Sequence, residues 1–212
     1  MPKEDEVMEI FAIGHSNYPY GKFIEMIKKY NINCIVDIRE TPYSKYNVQY
    51  NKEYFRETLK KDGYTYIYMG EEFGAKRGSK ESYNNEGYAD FDKVVKEDIF
   101  LSGVKRIKKG IDMGYTIVLL GAMQEPIRCH RSIMIGRFLK NEGLDVKYIL
   151  HEGTLAIQDD IEEDLLNKYF EDRNQISIDS LIGKGQSKRD MIEQAYKLAN
   201  KEIGYRTENI NK

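Results

Sequence analysis

A chain of 212 residues, 41 % hydrophobic and 32 % charged, is long enough for one domain of moderate size with an appendage, and its composition is that of a soluble globular protein. The formal charge of -2 argues against a uniformly basic nucleic-acid surface, and no run approaches the ~18 apolar residues of a membrane span. MPKEDEVMEI has no basic segment leading into an apolar one, and the two cysteines, Cys34 and Cys129, form neither a disulfide framework nor a C-x-x-C pair, so a cytoplasmic protein with no metal site is expected, its cofactor unknown.

In chain order, EIFAIG (9–14) reads as a strand covered on both faces, and GHSN sets Gly14, His15, Ser16 and Asn17 just past its end. YGKFIEMIKKYN then puts Phe23, Met26, Ile27 and Tyr30 at helical spacing, with Asn31 as a stop. The second strand, CIVDIR (34–39), ends in Asp37 and Arg39. TPYSKYNVQYNKEYFRE follows, interleaving Tyr43, Tyr46, Tyr50 and Tyr54 with Lys45, Lys52 and Arg56. Aromatic rings beside positive charge suit a base and a phosphate; the plainer alternative is a surface loop whose tyrosines cover the sheet edge.

KEYFRETLKKDG reads as a helix closed by a left-handed Gly63. YTYIYM (64–69) alternates and so belongs nearer an edge of the sheet. GEEFGAKRGS brings Glu71 and Glu72 as candidate acids and Lys76 and Arg77 as candidate phosphate contacts, without the spacing of a P-loop. A helix with Val104, Ile107 and Ile111 inward, closing at Gly114, leads to the fourth strand, YTIVLLGA (115–122). After GAMQEPIRCHRS comes a helix with Ile133, Met134, Phe138 and Leu139 inward, ending on Gly143, and then a fifth strand at 146–150. Beyond about residue 155 the pattern is helical only. DDIEEDLLNKYF carries a stripe of Ile161, Leu165, Leu166, Tyr169 and Phe170, GKGQ at 183–186 reads as a flexible link, and Ser187 with Asp190 has the spacing of a capping box.

This alternation predicts an α/β fold: a mostly parallel open sheet of about five strands with helices on both faces (1–155), plus a C-terminal helical extension (156–212) that could pack on the core, dimerise or cover the site. Ligands of such sheets bind beyond the carboxyl ends of the strands, where polar residues gather here. Pro126 shapes entry to a helix whose first turn should span Arg128 to Ser132; free N–H groups there, with Arg131 and Ser132, are candidates for holding an anion. Cys129 feels the same positive surroundings and is a candidate nucleophile, against the alternative of a small buried residue in a packed turn. His15 and His130 are candidate acids or bases. Ser16, Arg39 and Ser44 are candidate ligand contacts, and Asp37 is a ligand contact or the partner of Arg39 or Arg131. Cys34, inside an apolar strand, reads as structural.

IGHSN, VDIRETPYSKYNVQYNK, YIYMGEEFGAKR, GYADF and EPIRCHRS, in this order over roughly residues 10–152, resemble the domain of unknown function 488 family. The resemblance implies a compact α/β fold with shared loop residues Gly14, His15, Ser16, Asp37, Arg39, Pro42, Ser44, Gly74, Cys129, His130 and Arg131, and no settled reaction. Gly121 and Met123 depart from it, standing where similar chains carry a cysteine and a glutamate; only Glu125 is left nearby as a substitute carboxylate. Tyr148 stands where a histidine is frequent, three residues before His151. The expectation is a binder of a phosphate-bearing ligand, a nucleotide or nucleic acid, with hydrolase or transferase activity. The alternatives are a non-catalytic binding or regulatory module and a structural partner protein acting through its C-terminal helices.

Overall fold

The computed structural model describes residues 8–170 and 186–207. The elements run β1 (Glu9–Gly14), α1 (Tyr20–Lys28), β2 (Cys34–Asp37), α2 (Lys52–Lys61), β3 (Thr65–Tyr68), the short α3 (Gly70–Phe73) and α4 (Phe91–Val94), α5 (Asp98–Asp112), β4 (Ile117–Gly121), α6 (Arg137–Asn141), β5 (Asp145–Ile149), β6 (Leu155–Ile157), α7 (Gln158–Tyr169) and α8 (Lys188–Ile203). The link expected at 183–186 lies outside the described residues but for Gln186. The stops predicted for four helices are all left-handed: Asn31 at φ 54°, Gly63 at 83°, Gly114 at 87° and Gly143 at 80°. Ser187 caps α8 by accepting from the Asp190 amide.

The sheet has six strands in the order β3-β2-β4-β1-β5-β6. Five are parallel, and β6 runs antiparallel to β5. The sixth escapes a hydrophobic pattern because it is three residues long and only Ala156 of it is buried. β3 is an edge strand, as its alternation predicts.

Side chains of each strand alternate between two cores. Phe11 and Ile13 of β1, with Val118 and Leu120 of β4, meet α1 and α2 through Phe23, Ile27, Phe55 and Leu59. Ile10 and Ala12, with Ile117 and Leu119, face the other core, where Val104 and Ile107 of α5, Leu139 of α6 and Leu165 of α7 pack. The chain therefore leaves β1 towards one face and β4 towards the opposite face, although the two strands are neighbours. That divergence opens a crevice at their carboxyl ends.

The C-terminal extension packs on the core: Ala195, Tyr196 and Ala199 of α8 belong to the same buried cluster as β1 and β4. A buried polar chain reinforces it. Tyr148 of β5 donates to Gln158 Oε1, Gln158 Nε2 donates to the Ser132 carbonyl and to Tyr196, and Tyr196 donates to Glu162. No described helix is long and apolar enough to cross a membrane.

Candidate functional site

The crevice begins with two glycines. Gly14 and Gly121 are paired in register at the ends of β1 and β4. A Cβ at Gly14 would fall inside the Met123 carbonyl, so only glycine lets the loop after β4 fold down over β1. A Cβ at Gly121 would stand 3.2 Å from Cys129 Sγ and 3.3 Å from Arg131 Nη1. The thiol and the guanidinium thus share the bare backbone face that Gly121 provides.

The segment CHRS differs from the expected first helical turn. Pro126–Arg128 is a 3-10 turn, Cys129 is extended (φ −137°, ψ 139°), and a π-helical turn spans Arg131–Gly136 before α6. Ser132 Oγ bonds the carbonyls of Pro126 and Cys129, holding the reversal. Arg131 is 0 % exposed and points inward: Nη1 donates to the Met123 carbonyl and Nη2 to that of Gln124 at 2.8 Å. It clamps the loop after β4 onto the sheet, and its Nε has no partner among the described residues.

Cys129, only 4 % exposed, lies between this clamp and the cleft. Burial on its own would push the thiol up, but the Arg131 guanidinium, then His130 and the Arg131 amide, outweigh it and bring the thiol down to about 6. His130 Nδ1 is 3.9 Å from the sulfur, and its buried Nε2 has no partner among the described residues. Cys34 is the opposite case: with burial as the cause, its thiol is raised to about 11.

Arg39 forms the second side of the crevice. Its Nε and Nη2 bond Asp37 at 2.8 and 2.6 Å, Nη2 also donates to the Tyr50 carbonyl, and Nη1 donates to His15 Nε2 at 3.1 Å. Four of the five guanidinium N–H groups are thereby engaged, leaving one on Nη1. Asp37 is fully buried and also accepts from Tyr66 at 2.6 Å. His15 is locked as well: Nδ1 bonds the Ser16 carbonyl at 2.7 Å, Nε2 accepts from Arg39, and the ring stacks on Tyr50.

Burial first, and then the neighbouring Arg39 charge, lower His15 from its ordinary 6.5 to about 4. In the unfolded chain the ring takes a proton near 6.5, whereas the folded ring resists until about 4. Stability should therefore fall as pH drops through that window, by about 3 kcal/mol from this group. Urea unfolding at pH 7 and pH 4 checks this: His15→Gln should flatten the dependence by that amount, and an unchanged slope would contradict it.

Together these groups wall a cleft of about 410 Å³. Of the residues marked in the sequence, His15, Arg39, Ser44, Cys129 and His130 line it. Ser16, Asp37, Arg131 and Ser132 do not; they brace the loops behind it. Ser44 Oγ accepts from the amides of Tyr46 and Asn47, which shapes the wall after β2. Sequence reasoning missed Glu40, Thr41, Asn47, Ala75, Ala122 and Ile203 as lining residues, and Arg128 and Met123, although read, were not recognised as part of the wall. Glu125 is exposed, 3.8 Å from Arg128, and does not line the cleft; neither does His151, which bonds Tyr18.

Two expectations on the neighbouring loops need correction. Arg77 is buried and spent on Glu97 and on the carbonyls of Glu71, Glu72 and Gly74, so it is a loop clamp and not a phosphate contact. The tyrosines after β2 divide: Tyr50 lies in the core under His15, Tyr43 lines the cleft, and Tyr46 is 93 % exposed. Among the described residues no group of three or more His, Cys, Asp or Glu could hold a metal ion.

A family model described as a domain of unknown function, DUF488, matches residues 19–138, more than half of the chain. The chain belongs to the DUF488 family. No curated protein and no solved structure matches it. The DUF488 match runs from just before α1 into α6, and so contains Arg39, Ser44, Cys129, His130 and Arg131. His15 precedes it, while β5, β6, α7 and α8 follow it.

Proposed function

We propose that this DUF488 protein binds a small phosphate-bearing ligand, such as a nucleotide, in the cleft beyond β1 and β4, and presents Cys129 to it as the nucleophile of a hydrolase or transferase reaction. The observation that carries the reading is Cys129 itself: a thiol in the wall of a ligand-sized cleft, with a buried guanidinium behind it and a histidine beside it, held largely as thiolate at neutral pH. The volume is within the ~300–1,000 Å³ typical of small-molecule sites. On this reading the spare Nη1 hydrogen of Arg39, the exposed Arg128 and the Ser44 hydroxyl contact the anion, and His130, which lines the cleft beside the sulfur, is the acid or base. His15 and Asp37 then position Arg39. Arg131 acts through the sulfur rather than by touching the ligand.

The test uses one reagent on the intact chain. Iodoacetamide at pH 7 should modify Cys129 and leave Cys34 untouched, because the buried Cys34 stays a thiol. Adenosine monophosphate present at about 100 times its Kd should slow that modification about 100-fold and stabilise the protein by roughly 2.7 kcal/mol. A ligand that protects Cys129 but is never turned over would make the protein a binding module. Modification that no phosphate ester slows, with no thermal shift, would sink the phosphate reading.

A further inference from the structure

We infer that the C-terminal extension supplies the specificity wall of the cleft, through Ile203, and that the selected ligand carries an apolar body, an aryl ring being the simplest, beside its anionic head. This rests on the reading of the cleft as an anion-binding thiol site and adds the class of ligand. The polar lining lies at the strand ends and the loops after β2 and β4, and includes His15, Arg39, Ser44 and His130 together with Glu40, whose carboxylate is 3.6 Å from Lys76. Ala75 and Ile203 add an apolar side brought from elsewhere in the chain, and Met123 and the aromatic ring of Tyr43 are exposed on the same lining. A bare oxyanion would use only the first group, and would leave most of the 410 Å³ unfilled.

Ile203 is the last residue of α8, where a helix ordinarily frays, yet here it is fastened on both sides. Before it, buried Asn200 accepts from the Phe91 amide at 2.9 Å and donates to the Ala89 carbonyl at 2.8 Å. After it, Tyr205 accepts from the Ala89 amide at 2.9 Å and the Thr207 amide donates to Gly87 at 2.9 Å, in a short bridge between Tyr88 and Arg206. Gly204 makes this possible, since a Cβ there would stand 2.7 Å from the Asn200 carbonyl. Such fastening fixes an aliphatic face at the cleft, whereas a helix that merely covered the sheet could end anywhere. Ile203 lies outside residues 19–138, the segment that matches the family model, whereas Tyr43, Ala75 and Met123 lie within it.

Two aryl probes test the wall in independent ways. Phenyl phosphate should bind at least tenfold more tightly than inorganic phosphate, and N-phenyl iodoacetamide should label Cys129 at least tenfold faster than iodoacetamide. Ile203→Asn, which removes the aliphatic face without adding charge, should erase both margins; Ile203→Leu should keep them. Equal handling of aryl and non-aryl probes by the unaltered protein, or margins that survive in Ile203→Asn, would overturn the wall. An aryl preference seen only with the iodoacetamides, with neither phosphate bound, would retain the wall and remove the anionic head.

Discussion

Arg131→Met is expected to move the ionisation midpoint of Cys129 from about 6 to above the ~8.5 of a free thiol. Methionine fills much of the volume but carries no charge. Burial, the largest influence on this sulfur, then acts with only His130 and the backbone against it. A midpoint moved that far corresponds to about 3 kcal/mol of lost thiolate stabilisation. The rate at a single pH would understate it, because a thiolate of higher pKa is intrinsically more nucleophilic. The pH profile of alkylation is therefore the measurement that decides, and a midpoint still near 6 would mean that Arg131 is not the source. The same substitution strips donors from the carbonyls of Met123 and Gln124, each at ~1–3 kcal/mol if left unpaired, so a lowered Tm should accompany the shift. Arg131→Lys, which keeps the charge, should retain most of the depressed midpoint.

Asp37→Leu should have the largest effect on stability, about 3–5 kcal/mol, because it leaves the Arg39 guanidinium buried without its bidentate partner. For a chain of this size that lowers Tm by roughly 6–20 °C. Replacing both residues, as Asp37→Leu with Arg39→Met, should recover much of the loss, since a buried ion pair exchanged for apolar groups of similar volume is often close to neutral. Thermal unfolding of the three proteins separates the effects. A single variant within about 1 kcal/mol of the parent would show that the pair braces nothing, and would release Arg39 from the positioning ascribed to Asp37. The double variant should nonetheless lose phosphate binding, because the anion contact goes with the guanidinium.

The layout of the site was legible where physical constraints are local. Glycine and asparagine past a helix announce a left-handed stop, and each of the four was found there. Continuous apolar runs announce central strands, and β1, β2 and β4 all lie inside the sheet. Arg131 shows where local reasoning ends: an arginine near a helix start suggests an anion site, and nothing nearby reveals that two loop carbonyls will claim its guanidinium. Arg77 was misjudged for the same reason, since its partner Glu97 lies on a separate segment. Ile203 carried no signal at all. Its place depends on Asn200 finding the amide of Phe91 across more than a hundred residues of chain, a contact that no periodicity encodes.

The bare Gly121 also determines how this site can respond to oxidation. A disulfide holds each Cβ about 3 Å from its partner's sulfur, and the Cβ that Gly121 lacks would stand 3.2 Å from Cys129 Sγ. A cysteine there, where the family resemblance leads one to expect it, would have a resolving partner already in place. Glycine removes that partner. The chain's other thiol, Cys34, pairs with Ile117, four residues down β4 from Gly121, or about 13 Å along the strand. A sulfenic acid formed on Cys129 therefore has no second thiol of its own chain within reach, and its return to the thiol depends on a thiol from outside.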